Sequence, residues 1–186
     1  MKHDIMQKTK SPTGKVPALF DEALQVTIWD SLAICEHVAE LVPAVQLWPE
    51  DSSARAFARS VSCEMHSSFA ALRQHMPMNT RKSAPGEGME KGVKEDIDRI
   101  CMLWSDCRQF AKDGDGPFLF GRFSIADAMF APVVLRFQTY RPQLPANAQA
   151  YCDTIVTMPE IQEWCSAADL ETYRIEQYER LRDSKI

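Results

Sequence analysis

A basic excess is missing from this sequence. Across 186 residues, 21 Lys and Arg stand against 26 Asp and Glu, a formal net charge of −5, with a pI near 5.4. Proteins that bind nucleic acid or anionic membranes present a basic face. Here the cations are scattered among acids, which argues against both partners. Long apolar runs are missing too. "MFAPVVL" (129–135) is far too short to cross a bilayer, and the opening "MKHDIMQKTK" holds no apolar segment of a secretory signal. No Gly-rich phosphate loop occurs, since "GEG" and "GDG" read as turns. Cys63 and His66 lie three apart, but no further Cys or His completes a tetrahedral set, so no metal site is expected.

Cysteine is present, but not in a framework pattern. Cys35, Cys63, Cys101, Cys107, Cys152 and Cys165 fall mostly at apolar helical positions, without a signal segment and without a CxxC pair. Reduced, mostly buried thiols in a cytoplasmic protein are the expectation. His66 and His75 have no Ser or Cys partner recognisable from spacing. Hydrophobic residues at 45% and charged residues at 25% are ordinary globular values. A chain of this length and composition can bury a real core.

The periodicity changes along the chain. "VPALF" and "LQVTI", separated by "DEA", read as a β-hairpin. From Asp30 the spacing becomes helical through Leu32, Cys35, Val38 and Val42, and Pro43 ends the run. A Pro-containing connector over 42–53 follows. A long helix is predicted over 53–77, from the stripe Ala54, Phe57, Val61, Met65, Phe69, Leu72 and Met76. A second carries Val93, Ile97, Ile100, Trp104 and Cys107. "FSIADAMFAPVVLRF" opens with Ser124 and Asp127 at capping-box spacing, and Pro132 predicts a kink or early stop. Shorter helices around 146–157 and 159–168 precede a polar amphipathic tail to Ile186. The organisation is a scrap of α/β followed by a five- or six-helix bundle.

Two short stretches carry chemistry. In "WDSLAI", Asp30 and Ser31 stand where a helix begins. Free N–H donors and the partial positive charge of that terminus can hold a carboxylate, while Asp30 can pair with an ammonium. Together they suit an amino-acid zwitterion, and they equally suit a plain helix cap. In "KVPAL", a cis Pro17 would turn the Val16 backbone outward to a bound peptide. A trans proline at an edge strand is the alternative.

"SPTGKVPAL", then "WDSLAI" after the hairpin, then "ARSVSCEMHSSFAALRQHMPMN" and "FLFGRFSIADAMFAPVV" together resemble the cytosolic glutathione S-transferase family, bacterial members above all. The resemblance runs from about Lys10 through nearly the whole chain. It implies a mainly α fold. A partial thioredoxin-like domain (1–45, a hairpin plus helix) precedes an all-helical C-terminal domain (50–186). It implies that Pro17 is a structural cis-proline and that Val16 binds the cysteinyl part of glutathione through its backbone. Asp30 and Ser31 hold the γ-glutamyl end, with Asp where the family more often has Glu or Gln. Ser124 and Asp127 form the structural capping box. The wall facing the second substrate is expected to include Met65, His66 or Phe69.

Glutathione is the implied co-substrate, a small electrophile the implied partner, and a homodimer the implied assembly. Glutathione-assisted isomerisation of a maleylacetoacetate-like substrate is an alternative. In the family, a strand, helix and strand precede the hairpin and carry the catalytic Tyr, Ser or Cys. No counterpart is found in residues 1–10, and Ser11 lies in the wrong loop, so no catalytic residue is assigned. The chain alone is expected to be weak or inactive, or to act as a non-catalytic scaffold.

Overall fold

A computed structural model describes residues 11–111, 115–175 and 179 of the chain. The hairpin forms from β1 (Ala18–Asp21) and β2 (Val26–Trp29), antiparallel, with Ala18 opposite Trp29 and Asp21 opposite Val26. Its turn is built on Asp21, whose Oδ1 accepts the N–H groups of Ala23 and Leu24 at 2.9 Å each. This is the local bonding that makes Asp a turn former. The other oxygen, Oδ2, lies 2.8 Å from His37 Nε2 on helix α1 (Ser31–Leu41). No residue of β1, β2 or α1 is fully buried. Leu32, Cys35 and Ala39 of α1 instead pack, partly buried, against the main core.

A short 3-10 turn, Pro43–Val45, leads into the connector, where Trp48 is buried. Six helices follow: α2 (Ser52–Ser67), α3 (Ala70–His75), α4 (Val93–Arg108), α5 (Ile125–Tyr140), α6 (Ala146–Val156) and α7 (Pro159–Leu170). The core includes Val61, Leu72, Ile100, Phe130, Val134 and Ile155. Trp104 of α4 meets Phe130, Phe137 and Tyr151 in edge-on contacts at centroid distances of 5.8, 5.8 and 4.7 Å. Among the described residues the fold is thus mainly α, a helical bundle after a hairpin and one helix.

One expectation is corrected, and of the two alternatives for Pro132 the early stop is ruled out. The helix over 53–77 is two helices, broken at Ser68 and Phe69. Phe69 takes a left-handed conformation (φ 63°), and the Arg73 side chain bonds the carbonyls that the break frees, at Met65 and Ser68. The apolar stripe survives the break, which is why spacing alone could not reveal it. Helix α5 also runs on through Pro132 to Tyr140 rather than stopping early. Its residues are buried on most sides, and that packing outweighs the roughly 3 kcal/mol an interior proline costs. All six cysteines are free, with Cys107 and Cys152 buried and Cys63 exposed. Burial pushes the Cys107 and Cys152 thiols up to about 12 and Cys101 to about 11, so these three are inert at neutral pH. Residues 1–10 and most of the tail after Ile175 lie outside the described residues.

The start of α5 is held by a buried carboxylate. Asp127 accepts from Ser124 N–H at 2.8 Å, Ser124 Oγ–H at 3.0 Å, Leu119 N–H at 3.0 Å and Tyr151 O–H at 3.2 Å. Burial pushes its carboxyl upward, and the four donors oppose that shift. Removing the acceptor strands donors from three segments of chain. Asp127→Ala is therefore expected to cost about 3 kcal/mol and Tyr151→Phe about 1 kcal/mol, read from urea denaturation midpoints.

Asp21 supplies a pH test of the hairpin. The Leu24 N–H and then His37 hold its carboxyl below the ordinary value of 3.8. A lowered folded pKa contributes stability above the ordinary value that is lost as pH falls through the folded one. The amide resonances of Ala23 and Leu24 should titrate with a midpoint below 3.8, and Asp21→Asn should abolish that titration.

Candidate functional site

The hairpin register determines what shares its open end. Ala18 pairs with Trp29 as the last rung of the ladder, so Pro17 and Asp30 are the residues at which the two strands leave it. Val16 is 67% exposed, and the Val16–Pro17 bond is cis. Just upstream, the Ser11 hydroxyl donates to the Lys15 carbonyl at 2.6 Å, closing a tight loop.

Asp30 is the N-cap of α1. Its Oδ1 accepts the Leu32 N–H at 3.0 Å, and its backbone sits at φ 76° and ψ 131°, a positive-φ conformation that L residues rarely adopt. The first-turn N–H groups of Ser31 and Ala33 and the Ser31 hydroxyl have no intramolecular partner among the described residues. Those donors, at the positive end of an eleven-residue helix, are free to receive a carboxylate.

Helix α1 lies antiparallel on α2, joined by two polar clasps. Asp30 Oδ2 lies 2.8 Å from His66 Nε2. Nearer the other end of the pair, Glu36 takes a two-bond contact from Arg59, at 2.9 and 3.2 Å. The Arg59 guanidinium also sits 5.7 Å from the centre of the Trp48 ring. Arg59 and His66 are seven apart, two turns along one face of α2, and Asp30 and Glu36 match them across the join. Neither clasp was derived from sequence. The usable signal was that matched spacing of cation and acid, which becomes visible only once α1 and α2 are known to be neighbours. Between them, Cys35 has its thiol pushed up by burial, Glu36 and Asp30.

The residues expected along the second-substrate wall separate. Met65 and Phe69 are core residues, 4% and 5% exposed. His66 points outward, 41% exposed, and meets Asp30. Ser124 and Asp127 are buried in the capping network described above. A cleft of about 540 Å³ opens near the other end of α2, lined by Trp48, Ala54, Phe110, Phe120, Arg122 and Phe123 among others. Val16, Asp30 and Ser31 are not part of it. Among the described residues no group of three or more His, Cys, Asp or Glu could hold a metal. No helix there is long and apolar enough to cross a membrane.

Comparison with known proteins adds to this geometry. The family described as "Glutathione S-transferase, C-terminal domain" matches residues 64–183. Glutathione S-transferase L1 of Arabidopsis thaliana is 24% identical over 159 residues, covering 86% of this chain and 58% of that protein. The chain thus spans little more than half of that relative's length. Among solved structures, a Burkholderia glutathione transferase homologue with bound glutathione superposes with a TM-score of 0.62 at 23% identity, covering 89% of this chain and 78% of that one. Glutathione transferase F2 of Populus trichocarpa also gives 0.62, at 20% identity, covering 90% and 80%. At such identities the superpositions speak for the fold. The family match begins near the end of α2 and takes in α3 to α7, and the chain belongs to the glutathione S-transferase C-terminal domain family.

Proposed function

We propose that this chain binds glutathione at the open end of the hairpin and serves its transfer to a small electrophile. The observation that carries the reading is the start of α1, where the Ser31 hydroxyl and two first-turn N–H groups stand free beside the Asp30 carboxylate. Glutathione has two features that this end suits. Its γ-glutamyl head is a zwitterion, with a carboxylate for the Ser31 hydroxyl and first-turn N–H groups and an ammonium for Asp30. Its cysteinyl unit is an extended peptide that can pair with the Val16 backbone as an added strand would. The Burkholderia neighbour with bound glutathione supports the same ligand.

In this reading the thiolate of glutathione is the nucleophile. It attacks the electrophilic carbon while the leaving group departs, and the protein's task is to hold the thiolate and exclude competing water. The Ser11 hydroxyl is engaged with the Lys15 carbonyl, so it is not assigned to the thiolate. A homodimer and an electrophile covered by the His66 end of α2 belong to the same reading.

Titration calorimetry tests the binding. Glutathione should bind the wild-type chain. Ser31→Ala and Asp30→Asn should each weaken it about tenfold, the worth of a charge-assisted hydrogen bond. Val16→Ala should change little, because the contact is made by backbone. No heat and no shift in melting temperature at millimolar glutathione would remove the reading.

A further inference from the structure

We infer that the cleft at the start of α2 is a second binding site, separate from the proposed glutathione end, and that it takes a small aromatic organic cation. The inference does not depend on the glutathione reading.

The cleft is built by the connector, the first turn of α2, the segment just after α4 and the loop before α5. Its volume, about 540 Å³, falls within the roughly 300–1,000 Å³ of small-molecule sites. Its walls are held in place from within the chain. Arg108 donates to the carbonyls of Gly116 and Phe118 in the loop. The Ile125 N–H ties the far end of that loop to the connector, at the Leu47 carbonyl. Gly121 turns the loop at φ 86°, where an added Cβ would come 2.4 Å from Asp115 Cβ.

Aromatic rings form much of the lining, from Trp48, Phe110, Phe120 and Phe123. Phe110 and Phe120 lie 5.9 Å apart between ring centres, and Phe110 stacks on Phe57 at 5.1 Å. Phe110 and Phe123 are nevertheless 39% and 41% exposed. Large apolar side chains left open together on a concave surface mark a ligand site, whereas single scattered ones do not.

Charge selects the class of ligand. Among the described residues the lining carries the carboxylates of Glu50, Asp51 and Asp115 against the guanidinium of Arg122. Groups that could draw an anion are already engaged. Asp51 caps α2, its Oδ1 accepting the Ala54 N–H at 2.8 Å. Arg122 donates to Gln46 Oε1 at 3.1 Å, and nearby Arg55 donates to the Pro49 and Glu50 carbonyls at 3.0 and 2.6 Å. The Glu50 side chain is exposed, and its carboxylate has no hydrogen-bond or ion-pair partner among the described residues. Open ring faces and an unpaired carboxylate both favour a cation, the rings through their negative faces. A planar apolar body bearing an ammonium group satisfies both.

Three probes of one size and different charge test the class. 1-Naphthylmethylammonium, 1-naphthylmethanol and 1-naphthoate would be titrated at neutral pH into the wild-type chain, Glu50→Gln and Phe123→Ala, followed by NMR. Circular dichroism would confirm the fold of each variant. The ammonium should bind about tenfold tighter than the alcohol, and the carboxylate weakest. Glu50→Gln should weaken the ammonium about threefold and leave the alcohol unchanged, while Phe123→Ala should weaken both about threefold. Alcohol or carboxylate binding as tightly as the ammonium would overturn the inference. So would equal losses of ammonium and alcohol in Glu50→Gln, ammonium binding that neither variant alters, or no binding of any probe. Displacement of the ammonium by glutathione would merge the two sites and overturn it too. A chain that binds the ammonium but not glutathione would keep this site and remove the glutathione reading.

Discussion

One buried carboxylate ties together the parts of this molecule that matter for its site. Asp127 gathers donors from the Leu119 loop, from its own helix start at Ser124 and from Tyr151 on α6. Tyr151 in turn packs edge-on against Trp104 of α4. The next residue after Ser124 extends the chain of consequence outward, because the Ile125 N–H donates to the Leu47 carbonyl at 2.8 Å. The connector is thereby pinned to the bundle, and the connector determines where α1 and the hairpin are delivered. A carboxylate in such a position is costly to bury, and only full hydrogen bonding makes it tolerable. The capping box is remote from ligand chemistry, yet it governs where that chemistry sits.

The hairpin and α1 have no buried residue of their own, so their stability is borrowed. Leu32, Cys35 and Ala39 lean on the shared core, and the Asp30–His66 and Glu36–Arg59 clasps set the angle of lean. Exposed ion pairs contribute little free energy singly, but a matched pair along two antiparallel helices fixes register. The candidate ligand site therefore lies at a join. In the proposed reading the hairpin would supply a peptide-pairing edge and the start of α1 the anion-receiving donors.

Much of this was legible in the chain. Alternation gave the hairpin, three-and-four spacing gave α2, α4, α6 and α7, and "SIAD" announced the start of α5. The break at Phe69 was not legible, because a left-handed residue that keeps its side chain in the core leaves the apolar stripe intact. Continuation of α5 through Pro132 was not legible either, since local propensity says nothing of how completely a helix will be enclosed. Met65 and Phe69 were expected along a ligand wall and are core, whereas their neighbour His66 faces out. Residues on one helix turn face different ways, and which way is core depends on what packs there.

The sequence by itself determined the local matters: the element types, the cap residues, the free helix terminus at Ser31 and the turn at Asp21. Each depends on bonds between residues a few positions apart, which the chain carries wherever it goes. Only the tertiary structure decided that Asp30 and His66, thirty-six positions apart in the sequence, meet at 2.8 Å, and that Glu36 meets Arg59. Those pairings depend on how α1 lands on α2, which is settled by burial of apolar surface summed over the whole chain.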